Sequence, residues 1–171
     1  IYMALVTSQS TLPDFEHEYH TVIVDSFDGT ATNNNAFSVY LQTPLENIVQ
    51  AQLITANISV ASIERVCHIS IDELNTIFTQ RASSSVNGQS ERQILNRNFG
   101  TLVKTGDYNT THLVFKNEYP VMQQYVAPIR KLDRLTITLR SGDATSSVID
   151  DSNANSVFVF RFVCKKRNLP Y

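Results

Sequence analysis

The chain has no tryptophan, two cysteines, two methionines, five glycines and five prolines among its 171 residues. Each shortage excludes something. Without tryptophan there is no Cys–Trp–Cys arrangement of a true immunoglobulin domain. Cys67 and Cys164 are too few for a disulfide framework, and no CxxC spacing exists for zinc. Both lie in apolar runs, so they read as buried free thiols, consistent with a reducing compartment. The low glycine and proline content excludes collagen and low-complexity sequence. No apolar run approaches the length of a membrane span. No secretory signal is expected, because Ile1 to Val6 is short and lacks a basic flank. The net charge of −2 and pI of about 6.1 exclude the basic surface of a free nucleic-acid binder. Arg161, Lys165, Lys166 and Arg167 are the local exception. They read as a solvated C-terminal tail, which would reach packaged DNA if the protein lined a nucleic-acid container.

What is present is a period of two. With 42% hydrophobic residues the chain suits one globular domain with a real core. Strands are expected at Thr21–Val24, Phe37–Gln42, Ile48–Ile58, Val66–Ile71, Phe99–Lys104, His112–Lys116, the run ending at Arg140, and Val157–Cys164. Pro44 is expected to stop the second. In the third, Val49, Ala51 and Leu53 hold one parity, and Ile54, Ala56 and Ile58 the other. That slip predicts a bulge or bend near Leu53. Residues 75–98 are polar, with Ser83–Ser85 and Asn87–Gly88, and read as a long surface loop opening with a helical turn over Leu74–Arg81. Eight strands in two layers predict an all-β, eight-stranded antiparallel β-sandwich, a single jelly roll over residues 1–171. Residues 1–19 are expected as an N-terminal arm.

The cleanest strand is APIRKLDRLTITLRSGDA, Ala127–Ala144. Leu135, Ile137 and Leu139 face one way; Arg134, Thr136, Thr138 and Arg140 face the other. Val157–Cys164 is apolar on both sides: Phe158, Phe160, Phe162 and Cys164 against Val157, Val159 and Val163 with Arg161. A strand apolar on both sides is covered on both sides. In a sandwich one side is core, so the other must meet an added segment or another subunit.

Motifs of chemistry are scarce. Glu16-His17-Glu18-Tyr19-His20 would place Glu16, Glu18 and His20 on one strand face, but a solvated strand edge outweighs a metal site there, and His68 and His112 stand alone. Asp151-Ser-Asn153-Ala-Asn155 begins like an EF-hand loop, then fails: Ser156 stands at the glycine position and Phe162 at the bidentate acid. Nucleophile elbows, zincin motifs, P-loops and dinucleotide fingerprints are missing. Ser141-Gly142-Asp143 is a turn. Asp72 and Glu73 are adjacent, so on a strand they point apart. No catalytic, metal or cofactor residues are therefore assigned. Sequons at Asn57 and Asn109 carry little weight without a secretion signal.

Three blocks resemble a known family. They are Leu132-Asp133-Arg134-Leu135-Thr136-Ile137 with its polar turn, Phe37–Ile58 with Pro44, Leu45 and Asn47, and His68–Thr76 with Ile71, Asp72, Glu73 and Leu74. In order and spacing they resemble the penton-type minor capsid proteins, single jelly-roll vertex proteins of nucleocytoplasmic large DNA viruses, virophages and polinton-like viruses. The turn departs from the family's Asp-Pro-Asp-Gly, Cys67-His68 replaces an aromatic, and nothing before Thr21 matches. The resemblance implies a structural virion protein, not an enzyme. It implies a homopentamer closing the five-fold vertices of an icosahedral capsid beside major capsid proteins, in a virion assembled in an infected host cell. The expected subunit interface is Arg134, Thr136, Thr138, Arg140, Val157, Val159, Arg161 and Val163. Two rivals remain. One is a lectin-like β-sandwich binding a glycan or host receptor through Tyr108 and Tyr119. The other is a β-sandwich glycosidase using Asp72, Glu73 or Asp143.

Overall fold

The computed structural model describes residues 16–28, 30–33, 35–60, 65–74, 77–80, 84–86, 89–91, 94–104, 111–141 and 155–166. In these residues the chain forms twelve strands, one 3-10 turn at Ser26–Asp28 and no α-helix. The strands are β1 (His17–Asp25), β2 (Thr30–Asn33), β3 (Ala36–Ser59), β4 (Val66–Ile71), β5 (Ile77–Gln80) and β6 (Ser84–Val86). They continue with β7 (Gln89–Glu91), β8 (Ile94–Asn98), β9 (Gly100–Val103), β10 (His112–Phe115), β11 (Val121–Ser141) and β12 (Val157–Lys165). The protein is all-β, as the period of two predicts. The sheet already includes His17–Tyr19, inside the region expected as an arm.

One antiparallel sheet contains eight strands in the order β1-β12-β3-β11-β4-β9, with β2 and β10 also on β3. These are not the eight read from the sequence. The runs from Phe37 and Ile48 are one strand of 24 residues, β3, which passes through Pro44. Pro44 is tolerated because residues 41–44 bulge out opposite the single residue Asp133, where no ladder amide is required. Strand β11 likewise begins at Val121, well before Pro128, and residues 125–128 bulge opposite Val49.

Strand β3 uses both of its edges. Phe37 lies between Ile137 of β11 and Ala31 of β2. Ala51 lies between Gln123 of β11 and Phe162 of β12. Ala56 lies between Phe115 of β10 and Phe158 of β12. One edge therefore carries β11 then β10, and the other β2 then β12. The β12 register skips Ile54, which is the bulge that the parity slip near Leu53 predicts; a second skip falls at Val49. Between the bulge at residues 41–44 and the skip at Val49, Asn47 adopts φ 54°, a left-handed conformation that asparagine accepts more readily than most residues.

These breaks curl the sheet so that its halves face each other. Phe37, on the early half of β3, reaches Phe158 on β12 with ring centroids 6.2 Å apart. Phe99, just before β9, meets Phe160 edge-on at 5.8 Å. Phe158, Phe160 and Phe162 form a continuous fully buried row. Each contributes on the order of 1.5–3 kcal/mol by leaving water. Leu135, Ile137 and Leu139 complete the inner face from β11. The result is a curled antiparallel half-barrel.

The segment 75–98 is a correction. It is not a loop opening with a helix. Asp72–Leu74 makes a tight turn, with the Leu74 amide on the Ile71 carbonyl at 2.9 Å, and β5 is the next strand. Strand β5 pairs with β8 and, inside them, β6 pairs with β7. Val86 opposes Gln89 in the inner pair. A hairpin held by its ladder has no apolar alternation to read.

Two substitutions test this geometry. A Cβ on Gly100 would run into Val121 Cγ1. Gly100→Ala is expected to cost about 1–3 kcal/mol by overpacking, and Val121→Ala to offset part of it in a denaturation double-mutant cycle. Additive losses would mean that the two sites do not meet. At Asn47 the left-handed backbone makes Asn47→Val cost about 1–2 kcal/mol while Asn47→Gly is tolerated. Equal melting temperatures for the two variants would contradict that backbone.

Candidate functional site

The surface opposite the core is the outer face of the curled sheet. In the half built on β1, β12, β3 and β10 its side chains follow from the ladder. Tyr19 pairs with Val163, Ile23 with Val159, and Asp25 with Val157. Val157 in turn pairs with Asn57, which pairs with Val114. Tyr19 is 61% exposed and Ile23 70% exposed. Val114 and Met122 are also exposed, and Val157, Val159 and Val163 are half-buried between neighbouring strands. Arg161 and Thr21 lie in the same face, with Gln52 beside them. This half therefore carries an apolar field with few charges. Among the described residues nothing else covers it. The second apolar face of β12 expected from the sequence is present.

The other half has a polar outer face. Arg134, Thr136, Thr138 and Arg140 point away from buried Leu135, Ile137 and Leu139. They oppose Tyr40, Ser38 and Ala36 on β3, and Ser70 and His68 on β4. The eight residues expected as an interface thus share the outer face but not one patch. The β11 row sits at residues 36–40 of β3 and the β12 row at residues 50–57, beyond the bulged part of the strand.

A carboxylate organises the polar half. Glu73 follows β4 in the turn and reaches across to β11. One oxygen accepts from the Thr136 hydroxyl at 2.8 Å and from Arg134 Nε at 3.2 Å; the other accepts from the Thr136 amide at 2.8 Å. Ser38 extends the chain by donating to Thr136 Oγ1 at 3.4 Å. Hydrogen bonding to Tyr40 first, then to Glu73, pushes the Arg134 guanidinium pKa further up. Tyr125, in the β11 bulge, donates to the Leu74 carbonyl at 3.1 Å, and burial raises its pKa. The turn after β4 is fastened from both sides. Nothing in Ile71-Asp72-Glu73-Leu74 by itself signals a clamp reaching 63 residues along the chain.

The clamp engages both carboxylate oxygens of Glu73. Asp72 is exposed beside it, and Asp143 lies outside the described residues, as do Tyr108, Asp151 and Asn153. Tyr119 is likewise engaged: its hydroxyl accepts from the Val103 amide at 2.9 Å and donates to the Thr101 carbonyl at 3.2 Å, while its ring meets Phe115 edge-on at 5.2 Å. It is a structural tyrosine of the β9 edge, not an exposed ligand platform. Glu18 and His20 approach to 3.6 Å on β1. Among the described residues no three His, Cys, Asp or Glu side chains gather to hold a metal. Also among them, no helix is long and apolar enough to cross a membrane.

Both cysteines are buried thiols. Burial, then the Glu18 carboxylate, pushes the Cys164 thiol pKa up and keeps it protonated. Arg161 and Lys165 belong to β12, so the basic run is partly strand; Lys166 follows it and Arg167 lies outside the described residues. No protein-family model and no curated protein matches the chain.

The clamp makes a clear prediction. Glu73→Ala strips the half-buried Thr136 amide of its acceptor and is expected to cost about 1–3 kcal/mol in chemical denaturation. Arg134→Glu sets a second carboxylate against Glu73 and should lower the melting temperature more than Arg134→Ala does. Equal melting temperatures for wild type and all three variants would show that the clamp does not hold the turn.

Proposed function

We propose that the protein is a structural capsid subunit, a single jelly roll that assembles as a homopentamer at the five-fold vertices of an icosahedral virion. The observation that carries this reading is the apolar outer face of β12 and β1, opposite a complete core. A face of that kind on a small domain marks a protein–protein contact. The three sequence blocks that resemble penton-type capsid proteins add support because they meet in space. Arg134 and Thr136 of one bond to Glu73 of another, and Ser38 and Tyr40, in the third, bond to Thr136 and Arg134. Blocks that share a structural knot are expected to occur together.

In this reading the curled half-barrel with its shared long strands is the jelly roll, and the nested hairpin of residues 77–98 is an elaboration between β4 and β9. The β12 row of Val157, Val159, Arg161 and Val163 contacts a neighbour in the ring. The β11 row of Arg134, Thr136, Thr138 and Arg140 adjoins that ring or the surrounding major capsid proteins. Lys165, Lys166 and Arg167 face packaged DNA if that end points inward. The subunit has no catalytic role.

Native mass spectrometry tests the reading. The expected species contains five copies of the 19.3 kDa chain, or a multiple of five. Val159→Lys on the outer face should dissociate it with the fold retained by circular dichroism. A wild-type protein that stays monomeric at high concentration overturns the proposal.

A further inference from the structure

The apolar outer face of β12 has a charge in its middle. Arg161 stands between Val159 and Val163, with Thr21 of β1 on one side and Gln52 of β3 on the other. Its side chain is half-buried, and among the described residues its guanidinium has no ion pair and no hydrogen bond. Asp25 lies on the same face, opposite Val157, and accepts from the Phe27 amide at 3.0 Å. A partner that covers this face takes the Arg161 charge out of water, and a desolvated charge left without a counter-charge is costly. The fitting partner therefore brings a carboxylate with apolar surface beside it. A two-fold contact centred on Arg161 would instead set the guanidinium against its own copy.

The chain carries such a surface elsewhere. Asp72, in the turn after β4, is exposed. Its backbone amide bonds the Thr136 carbonyl at 3.1 Å, and among the described residues its carboxylate has no partner. Other acids are engaged: Glu73 in the clamp, Asp133 with Lys131 at 3.1 Å and Glu18 with His20 at 3.6 Å. The Tyr125 hydroxyl on the Leu74 carbonyl ties the Asp72 turn to the bulge of β11. That bulge presents Val126, fully exposed, followed by exposed Ala127 and Pro128. The corner is an apolar knob with a carboxylate at its side. Within one chain Asp72 bonds at the level of Thr136 and Ser38, whereas Arg161 sits at the level of Gln52, and no ion pair joins them.

We propose that the outer face of β12 docks the β4–β11 corner of a second copy of this chain, with Arg161 paired to the partner subunit's Asp72 and the valines of β12 covered by the exposed apolar bulge of β11. The contact joins two different surfaces, so it is heterologous and can repeat around a ring. It rests on the vertex reading and deepens it, by naming what the β12 row meets. Charge complementarity selects the partner: a half-buried cation in an apolar field faces an uncommitted acid beside an apolar knob.

Charge reversal in the full chain tests it, read by native mass spectrometry across a concentration series with circular dichroism to confirm the fold. Arg161→Glu and Asp72→Lys, each alone, set like charges together and should weaken assembly on the order of 30-fold or more. The double variant Arg161→Glu/Asp72→Lys restores opposite charges at every contact and should assemble within a few-fold of wild type. Arg161→Gln and Asp72→Asn drop the charge at nearly constant size and should weaken assembly in the same direction, which keeps the test open if a reversal fails to fold. Single variants that assemble like wild type, or a double variant no better than the singles, overturn the proposal. A five-copy species indifferent to these changes would leave the vertex reading and remove this pairing. Rescue by the double variant in an assembly of another copy number would do the reverse, and a wild-type monomer at high concentration overturns both.

Discussion

The fold depends on β3 having one edge lined by β11 and β10 along most of its length and the other lined by β2 at its start and β12 over its second half. A strand of 24 residues would be about 80 Å long if straight, too long for a domain of this size. It is usable only because it bends. The skips at Val49 and Ile54, the bulge at residues 41–44 and the left-handed Asn47 bend it. Bulges add local twist and re-aim side chains, so the buried set passes from Phe37 and Leu45 through Ile48, Ala51 and Leu53 to Ala56 and Ile58. Without the parity changes, half of these residues would point to solvent. Strand β11 bends in register with β3, and the two carry the other strands with them until Phe37 meets Phe158.

Bending a sheet leaves edges, and side chains seal the one that β9 presents. Tyr119 and Gln123 come from the segment leading into β11 and from β11 itself, and both reach the outer edge of β9. Strand β11 thus pairs with β4 at its far end and seals β9, the neighbour of β4, at its near end. The close approach of Gly100 to Val121 belongs to the same closure.

Much of this was legible in the residues. Leu135, Ile137 and Leu139 alternate with polar residues and are buried; Phe158, Phe160 and Phe162 alternate with half-buried valines and Arg161 and are also buried. The parity slip at Leu53 located a real bulge. What was not legible shares one cause: it is held by contacts distant in sequence or by backbone ladders. Pro44 looked like a stop because a ladder amide is missing there, yet the bulge makes that amide unnecessary. Val121–Val126 includes Gln123 and Gln124 and shows no apolar stripe, so the start of β11 was missed. The hairpins of residues 77–98 pair through backbone groups that every sequence carries. The Glu73 clamp could not be seen, because its partners lie on another strand. The apolar outer row of β12 was legible in sequence; the edge beside it was not, since Thr21–Val24 reads the same on an edge or in the middle of a sheet.

The clamp also changes how the charged row of β11 should be understood. Arg134 and Glu73 lie on an outer face, where an isolated ion pair contributes little. Glu73 contributes through the Thr136 amide and hydroxyl as well, so its position is fixed by three donors. Arg134 is then held between Glu73 and Tyr40, and its charge is largely committed within the chain. An arginine so committed makes a poor anchor for a partner, because docking must first loosen an internal contact. Val157, Val159 and Val163 make no comparable internal demand. Covering them removes apolar surface from water and breaks nothing. Of the two outer rows, the energetics of association therefore favour the β12 side, and the β11 side serves first to hold the turn after β4 in place.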